Sequence, residues 1–182
     1  MKDNSISLFA TTIWGFILKE QNYQRKDYLE YIETLEKTER PVYKSNFGGF
    51  QSNDKLHTVP VFKELTKSIE SLASECLKMP TQINEMWANI NYKYSYNGHH
   101  VHGGALSGVF YLNVTQNSGK LVLVNPTIRS DGHILRNPNF FINPENLACI
   151  LFPSYLEHYV EPNLSDTKRI SLSFNLYVKS NS

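Results

Sequence analysis

Residues 83–94 read Ile-Asn-Glu-Met-Trp-Ala-Asn-Ile-Asn-Tyr-Lys-Tyr, and from Met86 onward two kinds of side chain alternate. A period of two is typical of a β-strand whose two faces meet different surroundings. One face carries Met86, Ala88, Ile90, Tyr92 and Tyr94. The other face carries Trp87, Asn89, Asn91 and Lys93. The stretch therefore predicts a strand with one core face and one largely polar face.

Further short strands are predicted toward the end of the chain. Residues 107–115 form a β-branched and aromatic run that turns at residues 117–119 into residues 121–124, and we expect these two runs to pair as a hairpin. Residues 125–146 are rich in Asn and Pro and predict a long loop. The remaining predicted strands are residues 147–152, a strand beginning at 159–160, and residues 169–177. Several short strands separated by turn signals favour a sandwich or a barrel.

The first eighty residues have a mixed texture. Residues 8–18 are β-branched and aromatic and predict a strand, whereas apolar residues at helical spacing predict a first helix around residues 28–35. A second helix is predicted around residues 62–76, because Pro60 and Pro80 stand at the positions where helices begin and end.

Together these elements predict a mainly β fold with flanking helices, in one domain that spans residues 1–182. In this interpretation, residues 1–80 form a support of helices and strand, and residues 81–182 form most of a barrel. A chain of this length buries roughly 70% of its unfolded surface, so its core needs no disulfide or structural metal.

The composition excludes several classes of protein. Hydrophobic residues make up 41% and charged residues 19% of the chain, and the formal net charge is +1. This is a globular mixture without the charge excess of a protein that binds nucleic acid or a membrane surface. No stretch approaches the roughly 20 apolar residues of a membrane span, and the first residues are too polar for a signal peptide. We therefore expect a cytoplasmic protein in which Cys76 and Cys149 are buried free thiols.

Histidines cluster in the tract Gly98-His-His-Val-His-Gly103, which follows a predicted strand. On an extended chain, positions i and i+2 point to the same side, so His100 and His102 can face one ion while His99 points away. A third ligand must come from elsewhere, and His158 is the natural candidate because the chain there returns from a turn into a strand. This spacing is typical of a facial three-ligand metal site, and the alternative is a tract of hydrogen-bonded turn residues.

The last predicted strand, Arg169-Ile-Ser-Leu-Ser-Phe-Asn175, has a dense polar face. Arg169, Ser171, Ser173 and Asn175 share this face, which is either solvated or lines a polar pocket. In a pocket, Arg169 predicts a carboxylate ligand, since a guanidinium holds a carboxylate through two parallel hydrogen bonds.

The histidines and the arginine are linked by their spacing. Arg169 follows His158 closely, and a short return loop would bring their two strands side by side. A metal with free positions next to a carboxylate-binding arginine fits non-haem iron with 2-oxoglutarate. In that chemistry the keto acid chelates the metal while its far carboxylate meets the arginine.

With these motifs the chain resembles a small group of 2-oxoglutarate/Fe(II)-dependent oxygenases from bacteria and their phages. The matching segments run in order over nearly the whole chain and are residues 8–14, 48–52, 87–91, 96–102, 107–111, 151–158 and 169–175. The resemblance implies a double-stranded β-helix, or jelly-roll, fold. It also implies a dioxygenase that uses Fe(II), 2-oxoglutarate and O2, most directly to hydroxylate a substrate that the sequence does not identify.

The resemblance assigns roles to particular residues. The implied metal ligands are His100, His102 and His158. Arg169 is implied to bind 2-oxoglutarate, with Ser171 beside it. Asn91 stands where related oxygenases carry a further residue that touches the keto acid, and Tyr111 is a second candidate for that contact.

One position departs from the wider superfamily, whose first motif is His-x-Asp or His-x-Glu, because residue 102 is His here. Three neutral imidazoles suit zinc as well as iron. Asp131 and Glu157 are alternative ligands, but Glu157 directly precedes His158 and would point away from it on a strand. The rival functions are a three-histidine, cupin-like metal enzyme that does not use 2-oxoglutarate and a metal-stabilised binding module without turnover.

Overall fold

The computed structural model describes residues 10–126 and 139–180, which form eleven β-strands and two α-helices. The strands are β1 Trp14–Ile17, β2 Asn46–Phe47, β3 Phe50–Gln51, β4 Thr81–Asn91, β5 Tyr96–His100, β6 Leu106–Asn113, β7 Leu121–Val124, β8 Asn139–Ile142, β9 Ala148–Pro153, β10 His158–Val160 and β11 Arg169–Val178. The helices are α1 Arg25–Thr38 and α2 Lys63–Leu77, and short 3-10 turns precede both.

The strands form two antiparallel sheets. The larger sheet has the order β1-β9-β6-β11-β4-β3, and the smaller has the order β2-β5-β10-β7-β8. Most neighbours within a sheet are distant in sequence, because the chain passes repeatedly from one sheet to the other. This arrangement confirms the predicted mainly β, jelly-roll architecture.

The two helices cover the outer face of the larger sheet and confirm the helices predicted from spacing. Fully buried Ala88 of β4 and Leu172 of β11 share one core with Tyr28 of α1 and Ile69 of α2. In the described part of the chain, no helix is both long enough and apolar enough to cross a membrane.

The opposite face of the larger sheet looks toward the smaller sheet. β4 and β11 pair antiparallel with Arg169 opposite Asn91, so the polar residues that alternate with the core residues emerge on the same side. Part of the space between the sheets is a second apolar core, which includes Val109, Leu123 and Phe152. The rest is a polar cavity.

Two predicted strand neighbours are wrong. Residues 107–115 and 121–124 do not form a hairpin, because β6 pairs with β9 and β11 while β7 pairs with β10 and β8. Both edges of β6 are occupied, so the turn at residues 117–119 carries the chain across to the other sheet. The strands of His158 and Arg169 are not side by side either, since β10 and β11 belong to different sheets.

The loop predicted for residues 125–146 contains a strand in its described part. β8 pairs antiparallel with β7, with Ile142 opposite Leu121 and Asn139 opposite Val124. A run of four residues between Asn- and Pro-rich flanks is too short to show the alternation that identifies longer strands. Residues 127–138, which include the alternative ligand Asp131, lie outside the described residues, as does the start of the strand predicted over residues 8–18.

Candidate active site

The fold brings three histidines together at one end of the space between the sheets. His100 ends β5 and lies directly opposite His158, the first residue of β10. His102 follows two residues later, and its amide donates a 3.1 Å hydrogen bond to the carbonyl of Ser154. The ring centroids lie 4.3 to 5.1 Å apart, and one candidate ligand atom from each ring lies within 4.8 Å of the others. The structure therefore brings together the three histidines that the sequence singled out.

Backbone carbonyls set the orientation of two of the rings. Nδ1 of His100 lies 2.6 Å from the carbonyl oxygen of Gly98, and Nδ1 of His158 lies 2.8 Å from that of Leu156. A carbonyl only accepts, so each Nδ1 carries the proton and donates it. Each Nε2 then keeps its lone pair for a ligand role, which is how backbone carbonyls commonly orient metal-binding histidines.

Burial keeps all three imidazoles neutral. Loss of solvent, followed by the charge of His100, lowers the pKa of His158 to about 3. Loss of solvent, with smaller effects from His100 and Lys44, lowers the pKa of His102 to about 4, and burial also lowers the pKa of His100. Near neutral pH the cluster is therefore in the deprotonated state that metal binding requires.

The two neighbouring residues that were expected to point away do so. Nδ1 of His99 lies 2.8 Å from a carboxylate oxygen of Glu157, and the His99 ring stacks on Tyr159 with centroids 4.2 Å apart. Both members of this pair are exposed on the outer side of the smaller sheet. Glu157 is therefore not a member of the histidine cluster.

Arg169 is the second component of the site. It begins β11, and only 2% of its surface is exposed. Its Nη1 donates to Oδ1 of Asn91 at 3.4 Å and to Oγ of Ser171 at 3.2 Å. Its guanidinium carbon lies 5.2 Å from the centre of the Tyr111 ring. The four residues expected to bind the keto acid therefore lie next to one another in space.

Two polar groups here have no partner beyond each other. Nε of Arg169 and the hydroxyl of Tyr111 are buried and form no well-aligned hydrogen bond, although the hydroxyl and the guanidinium interact with each other. No carboxylate of the described residues forms an ion pair with Arg169. Burial raises the pKa of Tyr111, so its hydroxyl keeps its proton and can donate. Buried charges and donors are costly unless they are paired. These donors therefore fit an anionic ligand that accepts hydrogen bonds.

The histidines and the arginine line one narrow cavity of about 40 Å³. Ser171 and Ser173 from β11 lie on its wall together with the three histidines. A side-chain hydrogen bond joins the two sheets at this point, because Nδ2 of Asn91 in β4 donates to Oδ1 of Asn97 in β5 at 3.1 Å. A metal held by the histidines and an anion held by the arginine would thus share one enclosed space.

Sequence reasoning did not assign Asn97 or Trp87 to this cavity. Asn97 is buried in it, although the pair Asn97-Gly98 has the composition of a turn. Trp87 also lines the cavity and lies 5.5 Å from the ring of His102. Its position on the same strand face as Asn89 and Asn91 is the signal that could have found it, whereas no comparable signal marks Asn97.

Comparisons with known proteins agree with this geometry. Residues 85–175, half of the chain, match the family profile described as "Putative 2OG-Fe(II) oxygenase". No curated protein sequence matches the chain significantly.

Several solved structures share the fold at low sequence identity. The epimerase SnoN from nogalamycin biosynthesis, in complex with Fe3+, alpha ketoglutarate and nogalamycin RO, is 15% identical with a TM-score of 0.73, covering 92% of this chain and 79% of SnoN. HygX from Streptomyces hygroscopicus, with nickel, 2-oxoglutarate and hygromycin B bound, is 13% identical with a TM-score of 0.70, covering 93% and 84%. A Pseudomonas putida prolyl-4-hydroxylase is 13% identical with a TM-score of 0.66, covering 93% and 94%.

At such identities the structural likeness concerns the fold, and the family follows from the sequence profile. The matched segment runs from β4 to β11 and contains the three clustered histidines and the buried arginine. This chain belongs to the 2OG-Fe(II) oxygenase family.

Proposed function

We propose that the chain is a dioxygenase that uses Fe(II) and 2-oxoglutarate to hydroxylate a C–H bond of its substrate. One observation carries this proposal: a buried arginine without a carboxylate partner among the described residues shares a cavity with three neutral histidines.

In this proposal His100, His102 and His158 hold the iron. Neutral imidazoles are suitable ligands for Fe(II), and three of them leave coordination positions open. They also leave the double positive charge of the metal uncompensated. A keto-acid dianion would neutralise that charge, so the three-histidine set favours such a cosubstrate.

Arg169 would bind the far carboxylate of 2-oxoglutarate. Nε of Arg169 and the hydroxyl of Tyr111 are buried donors near this position, and Asn91 and Ser171 accept hydrogen bonds from Nη1 of the guanidinium. A bidentate contact with the guanidinium would satisfy the orphaned donor and fix the orientation of the keto acid.

When bound, iron and 2-oxoglutarate supply the oxidising chemistry, in which one atom of O2 enters succinate, the other enters the substrate hydroxyl and CO2 leaves. The side chains of this protein contribute position and exclusion of water. Phe152 packs edge-on against His158 at 4.8 Å, and Leu121 and Val160 complete an apolar wall. This wall limits the access of water to the reacting centre.

Anaerobic titration with Fe(II), with and without 2-oxoglutarate, tests the proposal. A visible charge-transfer band should appear only when both are present, because the band requires a keto acid chelated to iron. Metal binding without the band would instead favour the cupin-like enzyme that does not use 2-oxoglutarate. Release of succinate after admission of O2 is the second measurement.

We also propose a cytoplasmic location. Cys149 is buried, Cys76 is half-buried, and both are free thiols, which fits a reducing compartment. Cell fractionation of the tagged protein checks this assignment.

A further inference from the structure

A second and larger cavity opens on the other side of the histidine cluster, and we call it the outer cleft. It has a volume of about 490 Å³ and shares Trp87, His100 and His102 with the inner cavity. Sites for small organic molecules usually fall within about 300–1,000 Å³. If the inner cavity holds 2-oxoglutarate, the outer cleft is the space left for a substrate beside the metal.

Two carboxylates lie together on the wall of the outer cleft. The chain after β3 runs along β4, and the amide of Met86 donates to the carbonyl of Asp54 at 2.9 Å. This hydrogen bond brings Asp54 next to Glu85, and both side chains are half-buried. Nδ2 of Asn175 donates to Oε2 of Glu85 at 2.7 Å, which holds that carboxylate in place.

An unsatisfied acceptor lies on the same wall. Gln51 of β3 is only 4% exposed, and its Oε1 is buried without a hydrogen-bond partner. A buried carbonyl oxygen without a donor costs free energy, so a ligand N–H or O–H that reached this oxygen beneath the wall of the cleft would be stabilised. Gln51 lines the outer cleft together with Asp54 and Glu85.

The charges of the outer cleft favour a cation. Its lining holds Asp54, Glu85 and Lys44. Lys44 and Lys55, which pairs with Asp54 at 3.4 Å, are exposed and so screened by water, whereas both carboxylates are half-buried. Phe47 and Trp87 add aromatic faces, which attract ammonium and guanidinium groups.

We infer that the substrate of this enzyme carries an amine or a guanidinium, which Asp54 and Glu85 bind while a neighbouring N–H or O–H donates to Gln51. This inference rests on the proposed function, because it takes the outer cleft as the space beside a metal and its keto acid.

The test uses protein loaded with Mn(II) and 2-oxoglutarate, and three probes of equal length: 1,4-diaminobutane, 4-amino-1-butanol and 1,4-butanediol. Mn(II) accelerates the NMR relaxation of protons that bind close to it, so the measurement reports binding beside the metal. We expect the relaxation effect to be largest for the diamine, smaller for the amino alcohol and smallest for the diol. Each half-exposed charge contact that is removed should lower the binding affinity about fivefold.

Matched variants separate the contributions of the side chains. Glu85→Gln and Asp54→Asn should each weaken diamine binding about fivefold and leave the diol unchanged. Lys44→Gln should strengthen diamine binding, because it removes a like charge. Glu64→Gln alters an exposed carboxylate on α2 that pairs with Lys67, and it should change nothing.

Each alternative outcome is distinct. If Mn(II) and 2-oxoglutarate bind but Mn(II) accelerates the relaxation of the diol protons as strongly as that of the diamine protons, the substrate inference is wrong and the proposed function stands. Unchanged diamine binding in both carboxylate variants would overturn it in the same way. Failure to bind Mn(II) or 2-oxoglutarate would overturn the proposed function and this inference together.

Discussion

Replacing Arg169 with alanine should weaken 2-oxoglutarate binding at least tenfold while leaving metal binding intact. An exposed arginine–carboxylate pair contributes at most about 1 kcal/mol. Arg169 is 2% exposed, so its pair with a keto acid would be of the buried kind, and truncating one partner of such a pair costs roughly 2–5 kcal/mol. In affinity this range corresponds to a factor of roughly 30 to several thousand.

Calorimetry on anaerobic, Mn(II)-loaded protein measures this affinity directly. Arg169→Lys should recover only part of the binding, because an ammonium cannot form the two-pronged contact. Lys168→Ala is the matched control: it removes the neighbouring positive charge, which pairs with Glu36 at 2.8 Å and is not among the residues that line the cavity. We expect this control to bind 2-oxoglutarate within about twofold of the unmodified chain, since exposed pairs contribute little.

An unchanged dissociation constant in Arg169→Ala would refute the assignment of this residue to the cosubstrate. The same would follow if Lys168→Ala weakened binding as much as Arg169→Ala, because the effect would then be one of general charge. Loss of metal in Arg169→Ala would contradict the assignment of separate roles, in which the histidines hold the metal and Arg169 holds the far carboxylate of 2-oxoglutarate.

Three further predictions concern the metal, pH and packing. His102→Ala should lose most bound metal by elemental analysis while His99→Ala keeps it, and full metal content in His102→Ala would contradict a three-histidine site. The metal-free protein should lose stability as pH falls below about 6.5, by about 2 kcal/mol at pH 5 from His158 alone, because the unfolded chain then binds a proton that folded His158, with its pKa lowered to about 3, does not. Thermal unfolding at pH 7 and pH 5 measures this loss, and His158→Ala should reduce the difference. Gly108→Ala should destabilise the fold by about 1–3 kcal/mol in denaturant unfolding, because a Cβ there would overlap an aromatic ring and a backbone carbonyl, whereas Gly15→Ala meets one side chain at 3.5 Å and should be tolerated.

Much of the candidate site follows from local patterns in the sequence. Alternation alone places Arg169 and Ser171 on one face of β11, and the partner strand β4 presents Asn91 opposite Arg169. The spacing of His100 and His102 likewise predicts a common side. These predictions succeed because the direction of a side chain depends on the backbone conformation of a few neighbouring residues.

The sequence by itself determined the helices, the strand faces and the residue types able to bind a metal and a carboxylate, since each depends on short-range periodicity. Only the tertiary structure decided which sheet each strand joins. The sequence predicted that residues 107–115 pair with residues 121–124, but strands from distant parts of the chain occupy both edges of the first run. The tertiary structure also placed His158 opposite His100, and Asn97 inside the cavity. Strands from all parts of the chain compete to pair at the same sheet edges, and the outcome cannot be predicted from a local sequence pattern.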